Sequence, residues 1–172
     1  MVHLSKFVRV CLIEHNRGKT MKRKKQTFAE MYKIGQQYYN DKGFCGVVAV
    51  AVAAEVAFGK ARATLASKKH TVPRKTRTGT NMITLRDSLE TLGCTITNIH
   101  SDKPNEVNAW CAKGTTHKTL GKTCRMLPKD GVYLVHTTKH ITCVDHGDIV
   151  DWATDKNRSK VVDVYKITRN YK

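Results

Sequence analysis

Apolar positions change their period twice along this chain. Between 27 and 38 they recur at roughly helical spacing, as Phe28, Met31, Tyr32, Ile34 and Gly35, and Thr27 and Glu30 stand in capping-box register. A short helix ending near Tyr38 is expected there, followed by a turn at Asn40-Asp41-Lys42-Gly43. From Phe44 the chain is apolar at almost every position as far as Glu55, rich in alanine and valine. That is the mark of a buried central helix starting at Cys45. Its pattern runs on through Phe58, Ala61 and Leu65 and frays at 67–70. Met82, Leu85, Leu89 and Leu92 share one face of a further helix, with Thr80 or Asn81 to cap it and Gly93 to stop it.

Strand signals bracket these helices. Residues 7–13 are rich in β-branched side chains, 94–99 alternate, and a short helix at 119–127 is ended by Pro128. Between 100 and 114 the pattern is weak, with Val107, Trp110 and Cys111 on one helical face. Four short strands follow at 131–136, 140–144, 148–152 and 161–167, separated by turn residues at 137–139, 146–147 and 153–159. Helices first and an antiparallel sheet afterwards is an α+β order, with the cysteine-bearing helix packed on the C-terminal sheet.

Length and composition narrow the class. At 172 residues the expectation is a single domain, 1–172, with a core at 27–167 preceded by a strand and basic-loop extension at 1–26. Hydrophobic residues make up 40%, only three prolines occur, and no repeat or low-complexity tract is present, which argues for a folded chain rather than a disordered one. The apolar run at 44–58 is interrupted by Glu55 and too short to span a bilayer, so no membrane partner is expected. Residues 1–6 lack the apolar region and cleavage site of a secretory leader, and six cysteines without a CxxC pair read as free thiols of a cytoplasmic protein.

The charge is the outlying quantity. Lysine and arginine number 31 against 14 acids, a net +17, a field that attracts polyanions: nucleic acid, anionic surfaces or acidic proteins. Two basic loops concentrate it. Arg17, Lys19, Lys22, Arg23, Lys24 and Lys25 form the first, and Lys68, Lys69, Arg74, Lys75 and Arg77 the second.

One constellation carries chemistry. A cysteine at a helix start sits among unpaired amides at the positive end of the helix dipole, which favours a thiolate. Such a nucleophile needs a base that stabilises it as imidazolium, and the base needs a third group to orient its ring. His140 opens a strand after a tight turn. Asp151 ends the next strand, and a hairpin closed at His146-Gly147 brings the two within side-chain reach. Histidines 136, 140 and 146 with Cys143 also raise a zinc reading, but on a strand Cys143 points opposite to His140. Cys11, Cys94, Cys111, Cys124 and Cys143 read as structural.

The segments Asp41-Lys42-Gly43-Phe44-Cys45-Gly46-Val47-Val48-Ala49-Val50-Ala51, Gly131-Val132-Tyr133-Leu134-Val135 and His140-Ile141-Thr142-Cys143-Val144-Asp145-His146-Gly147-Asp148-Ile149-Val150-Asp151 together resemble the papain-like cysteine peptidases. They look closest to small phage and bacterial domains related to bacteriocin-processing peptidases. The resemblance implies a papain-like fold and a thiol hydrolase with a protein or peptide substrate and no cofactor. It further implies Cys45 as nucleophile, His140 as general base and acid, Asp151 as orienting carboxylate, and a phage or bacterial origin. Members of the family usually carry a glutamine six residues before the cysteine as oxyanion donor. Tyr39 stands there instead, leaving Asn40 as the nearest candidate, then Gln37 or Gln36. A basic nucleic-acid-binding or virion-associated protein with an inactive fold is the alternative, and acyl transfer or deamidation by the same triad a third.

Overall fold

The structure, a computed structural model, describes residues 25–39, 44–68, 80–99, 119–152 and 158–170. Helix α1 (Phe28–Tyr39) starts as its sequence dictates: Thr27 N–H donates to Glu30 Oε2 at 2.8 Å, and Glu30 N–H returns to Thr27 Oγ1 at 3.2 Å. Its inner side carries Met31 and Gly35, both buried. Helix α2 (Cys45–Ala53) is buried at every position after the first, so it forms the centre of the domain.

The long helix expected from 45 to 67 is two helices. Glu55 adopts φ +48, its N–H bonds Val52 C=O at 3.2 Å, and Val56 N–H reaches back to Ala51 C=O at 3.0 Å. This is a Schellman ending with glutamate where glycine is usual. Arg169, far along the chain, holds it: Nη1 meets Glu55 Oε1 at 2.9 Å, while Nε and Nη2 donate to the last carbonyls of α2, Ala53 and Val52, at 2.9 and 3.0 Å. A cation on the carbonyl end of a helix satisfies orphan acceptors and opposes the dipole. Helix α3 (Phe58–Ser67) follows, its first amide capped by Gln26 Oε1 at 2.8 Å. Helix α4 (Met82–Thr91) is capped by Asn81, whose Oδ1 accepts Thr84 N–H at 2.7 Å, and ends at Gly93 with φ +82.

Five strands make one antiparallel sheet: β1 (Cys94–Asn98), β2 (Val132–Thr137), β3 (Ile141–Asp145), β4 (Asp148–Ile149) and β5 (Val161–Arg169), in the order β1-β5-β2-β3-β4. The strand expected at 94–99 thus joins the sheet formed by the C-terminal strands, at the edge beside β5. The 148–152 strand is cut to two residues. Helices α1 to α4 cover one sheet face, on a core that joins Val47 to Ala54 with Leu134, Ile141, Cys143, Tyr165 and Ile167. Helix α5 (Leu120–Met126) covers the other, against Tyr133, Val135, Val144 and Val164. Among the described residues this is an α+β arrangement of five helices and one antiparallel sheet, with no helix long and apolar enough to cross a membrane. The strand at 7–13 and the weak segment at 100–114 lie outside the described residues.

Candidate active site

Cys45 is the first helical residue of α2. Phe44 before it offers no side-chain acceptor and none caps the helix, and the first helical bond arrives only at Val48, whose N–H meets Phe44 C=O at 3.0 Å. The amides of the first turn therefore point out of the helix at the place where Cys45 stands. Two close packings hold that place. The Phe44 ring fills the space over Gly35, where a Cβ would fall 2.9 Å from the ring. Thr80, just before α4, lies so near Gly46 that a Cβ there would stand 2.8 Å from its own Cβ.

His140 is the last residue of the connection from β2 to β3. Buried Thr137 fixes its backbone: His140 N–H donates to Thr137 Oγ1 at 3.0 Å, and Thr137 N–H donates to His140 C=O at 2.8 Å. The β3–β4 hairpin turns through His146 (φ +52) and Gly147 (φ +91), which places Val144 opposite Ile149 and Asp145 opposite Asp148. Val150 adds a last rung through its N–H to Cys143 C=O at 3.0 Å. The chain then leaves the ladder, and Asp151, immediately beyond, meets His140: Nε2 to Oδ2 is 2.9 Å. The aspartate side chain is 1% exposed and the imidazole 15%. Trp152 lies on the ring with centroids 5.5 Å apart, and is itself packed on Phe44 at 5.7 Å and Phe28 at 5.4 Å.

With Nε2 taken by Asp151, the other ring nitrogen is left for the Cys45 thiol, which His140 lowers through hydrogen bonding and charge. The backbone amides of Ile141 and Gly46 also lower it. The Ile141 amide is available for a reason of register. Thr137 N–H bonds His140 C=O, so Ile141 and His136 form the next, non-bonded pair and Ile141 turns its N–H away from β2. It faces the side where β4 would have continued had it not ended at Ile149.

The electrostatics follow from this geometry. Burial opposes a charge on Cys45, but the His140 hydrogen bond, the Ile141 amide and the imidazolium charge outweigh it, and the thiol lies below its ordinary 9.0. Burial likewise opposes His140, yet Asp151 and Cys45 raise it to about 9. Both shifts run the same way, toward a thiolate beside an imidazolium, each partner favouring the charged form of the other. Cys124 and Cys143 behave oppositely, pushed up to about 12 by burial, and burial also raises Cys94.

Not every expected site residue is brought here. Gln37 is two residues from Gly35, about 200° around α1. It is exposed and lines a surface cleft with Glu30, Lys33 and Tyr38. Gln36 is exposed as well, and Asn40 lies outside the described residues. Lys25 forms an ion pair with the buried carboxylate of Asp145, its side chain half exposed. Lys68 is exposed at the end of α3. Arg17, Lys19, Lys22, Arg23, Lys24, Lys69, Arg74, Lys75 and Arg77 lie outside the described residues, as do Cys11 and Cys111. His146 bonds Asp145 through Nδ1 at 2.7 Å, and Cys143 is buried beneath α2. The Ile141 amide, the Thr137 hydroxyl and the Arg169 clamp were missed by sequence reasoning, because each depends on sheet register or on a partner more than a hundred residues away. Comparison of the chain with protein-family models, with curated proteins and with solved structures gives no match.

Proposed function

We propose that this chain is a thiol hydrolase of papain-like fold that cleaves peptide, isopeptide or amide bonds through an acyl-enzyme on Cys45. The reading is carried by one observation: a histidine held at 2.9 Å by a buried aspartate acts on a helix-start cysteine and lowers its thiol. The Cys45 thiolate adds to the substrate carbonyl carbon, forming a C–S bond as the carbonyl π electrons move to oxygen. The oxyanion lies against the outward amides of the first turn of α2, which supply backbone donors in place of the absent glutamine. Collapse breaks the C–N bond, and His140 gives its proton to the leaving nitrogen. Neutral His140 then takes a proton from water, hydroxide displaces the sulfur, and the acid and the thiolate–imidazolium pair are released. Asp151 holds the ring, and Trp152 covers the Asp151–His140 bond, keeping it strong by limiting water.

The test is replacement of the nucleophile together with thiol labelling at neutral pH. Cys45→Ala abolishes turnover of a fluorogenic peptide library, and iodoacetamide modifies Cys45 ahead of every other cysteine. Full activity in the variant, or earlier labelling of another cysteine, refutes the reading. The net charge of +17 favours one alternative, a nucleic-acid-binding protein that keeps the fold without turnover. Its mark is an affinity for nucleic acid that falls steeply with added salt, in a protein inert to peptides.

A further inference from the structure

Beside the His140 ring the chain leaves aromatic side chains in water. Trp152, which lies on the imidazole with centroids 5.5 Å apart, is 46% exposed, and Tyr32 on α1 is 45% exposed. Two further rings join them. Phe28 touches Trp152 at 5.4 Å and Tyr32 at 6.0 Å, and Phe44 touches both at 5.7 Å. Phe44 is buried and Phe28 half-buried, so these two make a floor with Trp152 and Tyr32 at its sides. The floor begins at the nucleophile, since Phe44 is the residue before Cys45.

Core packing does not account for the face. Phe28 and Tyr32 stand one helical turn apart on α1, whose other solvent-facing positions, Glu30, Lys33, Gln36 and Gln37, are polar. A ring left half in water forgoes much of what its burial would contribute, and a contiguous exposed apolar patch marks a place where something binds. The chemistry next to it says what. His140 gives its proton to the leaving nitrogen, so that nitrogen stands at the imidazole and its substituents extend over the surface beyond. That surface is Trp152, then Phe28 and Tyr32. A peptide leaving group carries its first side chain on the carbon next to the nitrogen, within reach of these rings. An aromatic or large apolar side chain completes their burial in offset or edge-to-face contact. A cation meets the opposing field of a chain of net charge +17.

We propose that Trp152, Phe28, Tyr32 and Phe44 form the leaving-group subsite of the Cys45 site, and that it takes an aromatic or large apolar side chain. This rests on the thiol-hydrolase reading and gives it a substrate class: bonds whose nitrogen belongs to a residue with such a side chain. Run in reverse, the same face receives an acceptor amine. The amine nitrogen attacks the thioester carbonyl of the acyl-enzyme and loses its proton to neutral His140; a C–N bond forms, the C–S bond breaks, and its electron pair returns to the Cys45 sulfur. Phe28 and Tyr32 are specificity residues, without a part in bond making.

The reverse direction supplies the test, which needs no known substrate. The full chain is acetylated at Cys45 with p-nitrophenyl acetate, and loss of the acetyl group is timed by mass spectrometry with phenylalaninamide, leucinamide, alaninamide or lysinamide as acceptor. Iodoacetamide labelling runs in parallel. Expected is a phenylalaninamide-to-alaninamide rate ratio of about ten or more, with leucinamide between them and lysinamide no faster than alaninamide. In Tyr32→Ala, where a half-exposed ring is lost, the ratio falls to about threefold or less, and Phe28→Leu lowers it in the same direction. Because each ratio is taken within one variant, a general change in folding or thiol reactivity cancels. Equal rates with phenylalaninamide and alaninamide in the wild type, lysinamide faster than phenylalaninamide, or a ratio unmoved in Tyr32→Ala overturns the subsite, while prompt iodoacetamide labelling of Cys45 leaves the hydrolase reading standing. Slow reaction of Cys45 with both iodoacetamide and the ester overturns that reading and the subsite with it.

Discussion

Replacing Asp151 by asparagine isolates the charge of the buried carboxylate from its hydrogen bond. The amide oxygen is nearly isosteric and still accepts from His140 Nε2, so the 2.9 Å contact and the ring orientation survive. What disappears is the charge. A hydrogen bond to an ionised partner contributes roughly 1.5–3 kcal/mol against about 0.5–1.5 for a neutral one, a difference of about 1–1.5 kcal/mol, or roughly one pH unit on the imidazolium. In the wild type Asp151 and Cys45 hold His140 up at about 9. The sign is therefore a narrowing. The thiolate–imidazolium form exists between the lowered Cys45 limit and the His140 limit, and Asp151→Asn brings the upper limit down to roughly 8 while pushing the Cys45 limit up, since a weaker imidazolium supports the thiolate less. The assay is the second-order rate of iodoacetamide labelling at Cys45 from pH 4 to 11, resolved by peptide mass. Wild type shows a first rise below the 9.0 of an ordinary thiol and a second at about 9 as His140 is deprotonated. The variant shows both steps moved toward each other, and Asp151→Ala moves the upper step by roughly two pH units. A single wild-type transition at the pH of an ordinary thiol, or a profile unchanged in Asp151→Asn, would refute the coupling.

The remaining expectations concern what holds the site in place. Arg169→Met strips the donors from Val52 and Ala53 and leaves Glu55 and Asp145 without that cation. Urea denaturation should show a loss of about 2–4 kcal/mol, only partly restored by Arg169→Lys, whose single ammonium cannot serve two carbonyls and a carboxylate at once. Gly46→Ala drives a methyl group into Thr80 and should cost about 1–3 kcal/mol, with much of the loss recovered in the Gly46→Ala, Thr80→Gly double variant. Trp152→Ala opens the His140–Asp151 bond to water; the upper pH limit of labelling should fall below about 9 with a smaller loss of stability than a core aromatic, because the ring is already 46% exposed. Thr27→Ala removes the capping box of α1 and should cost about 1 kcal/mol in thermal or urea unfolding without moving the labelling profile.

What the sequence determined by itself is what depends on neighbours in the chain. The Thr27–Glu30 box, the Asn81 cap and the glycine stop at 93 are local devices, and each forms where its residues stand. The unbroken apolar run from Phe44 marked α2 as central, because a helix without a polar side has no surface to occupy. The two-residue turn at His146-Gly147 set the count that brings residues 140 and 151 together, since side-chain period and turn length leave an antiparallel hairpin little freedom.

Tertiary structure decided the rest. The helix from 45 to 67 looked continuous because glutamate gives no local stop; it breaks at Glu55 because Arg169, more than a hundred residues away, satisfies both that residue and the exposed carbonyls. The strand at 148–152 looked long because alternation does not reveal where a ladder ends. Its early end frees Asp151 to turn under His140 and leaves the Ile141 amide to the thiol. Gln37 was near in sequence and faces away, because two residues along a helix is half a turn. The cysteine, the histidine and the aspartate were legible as residues of the right kinds in the right order, but the sheet register paired the histidine with the aspartate and the packing of α2 on β3 set the cysteine beside them.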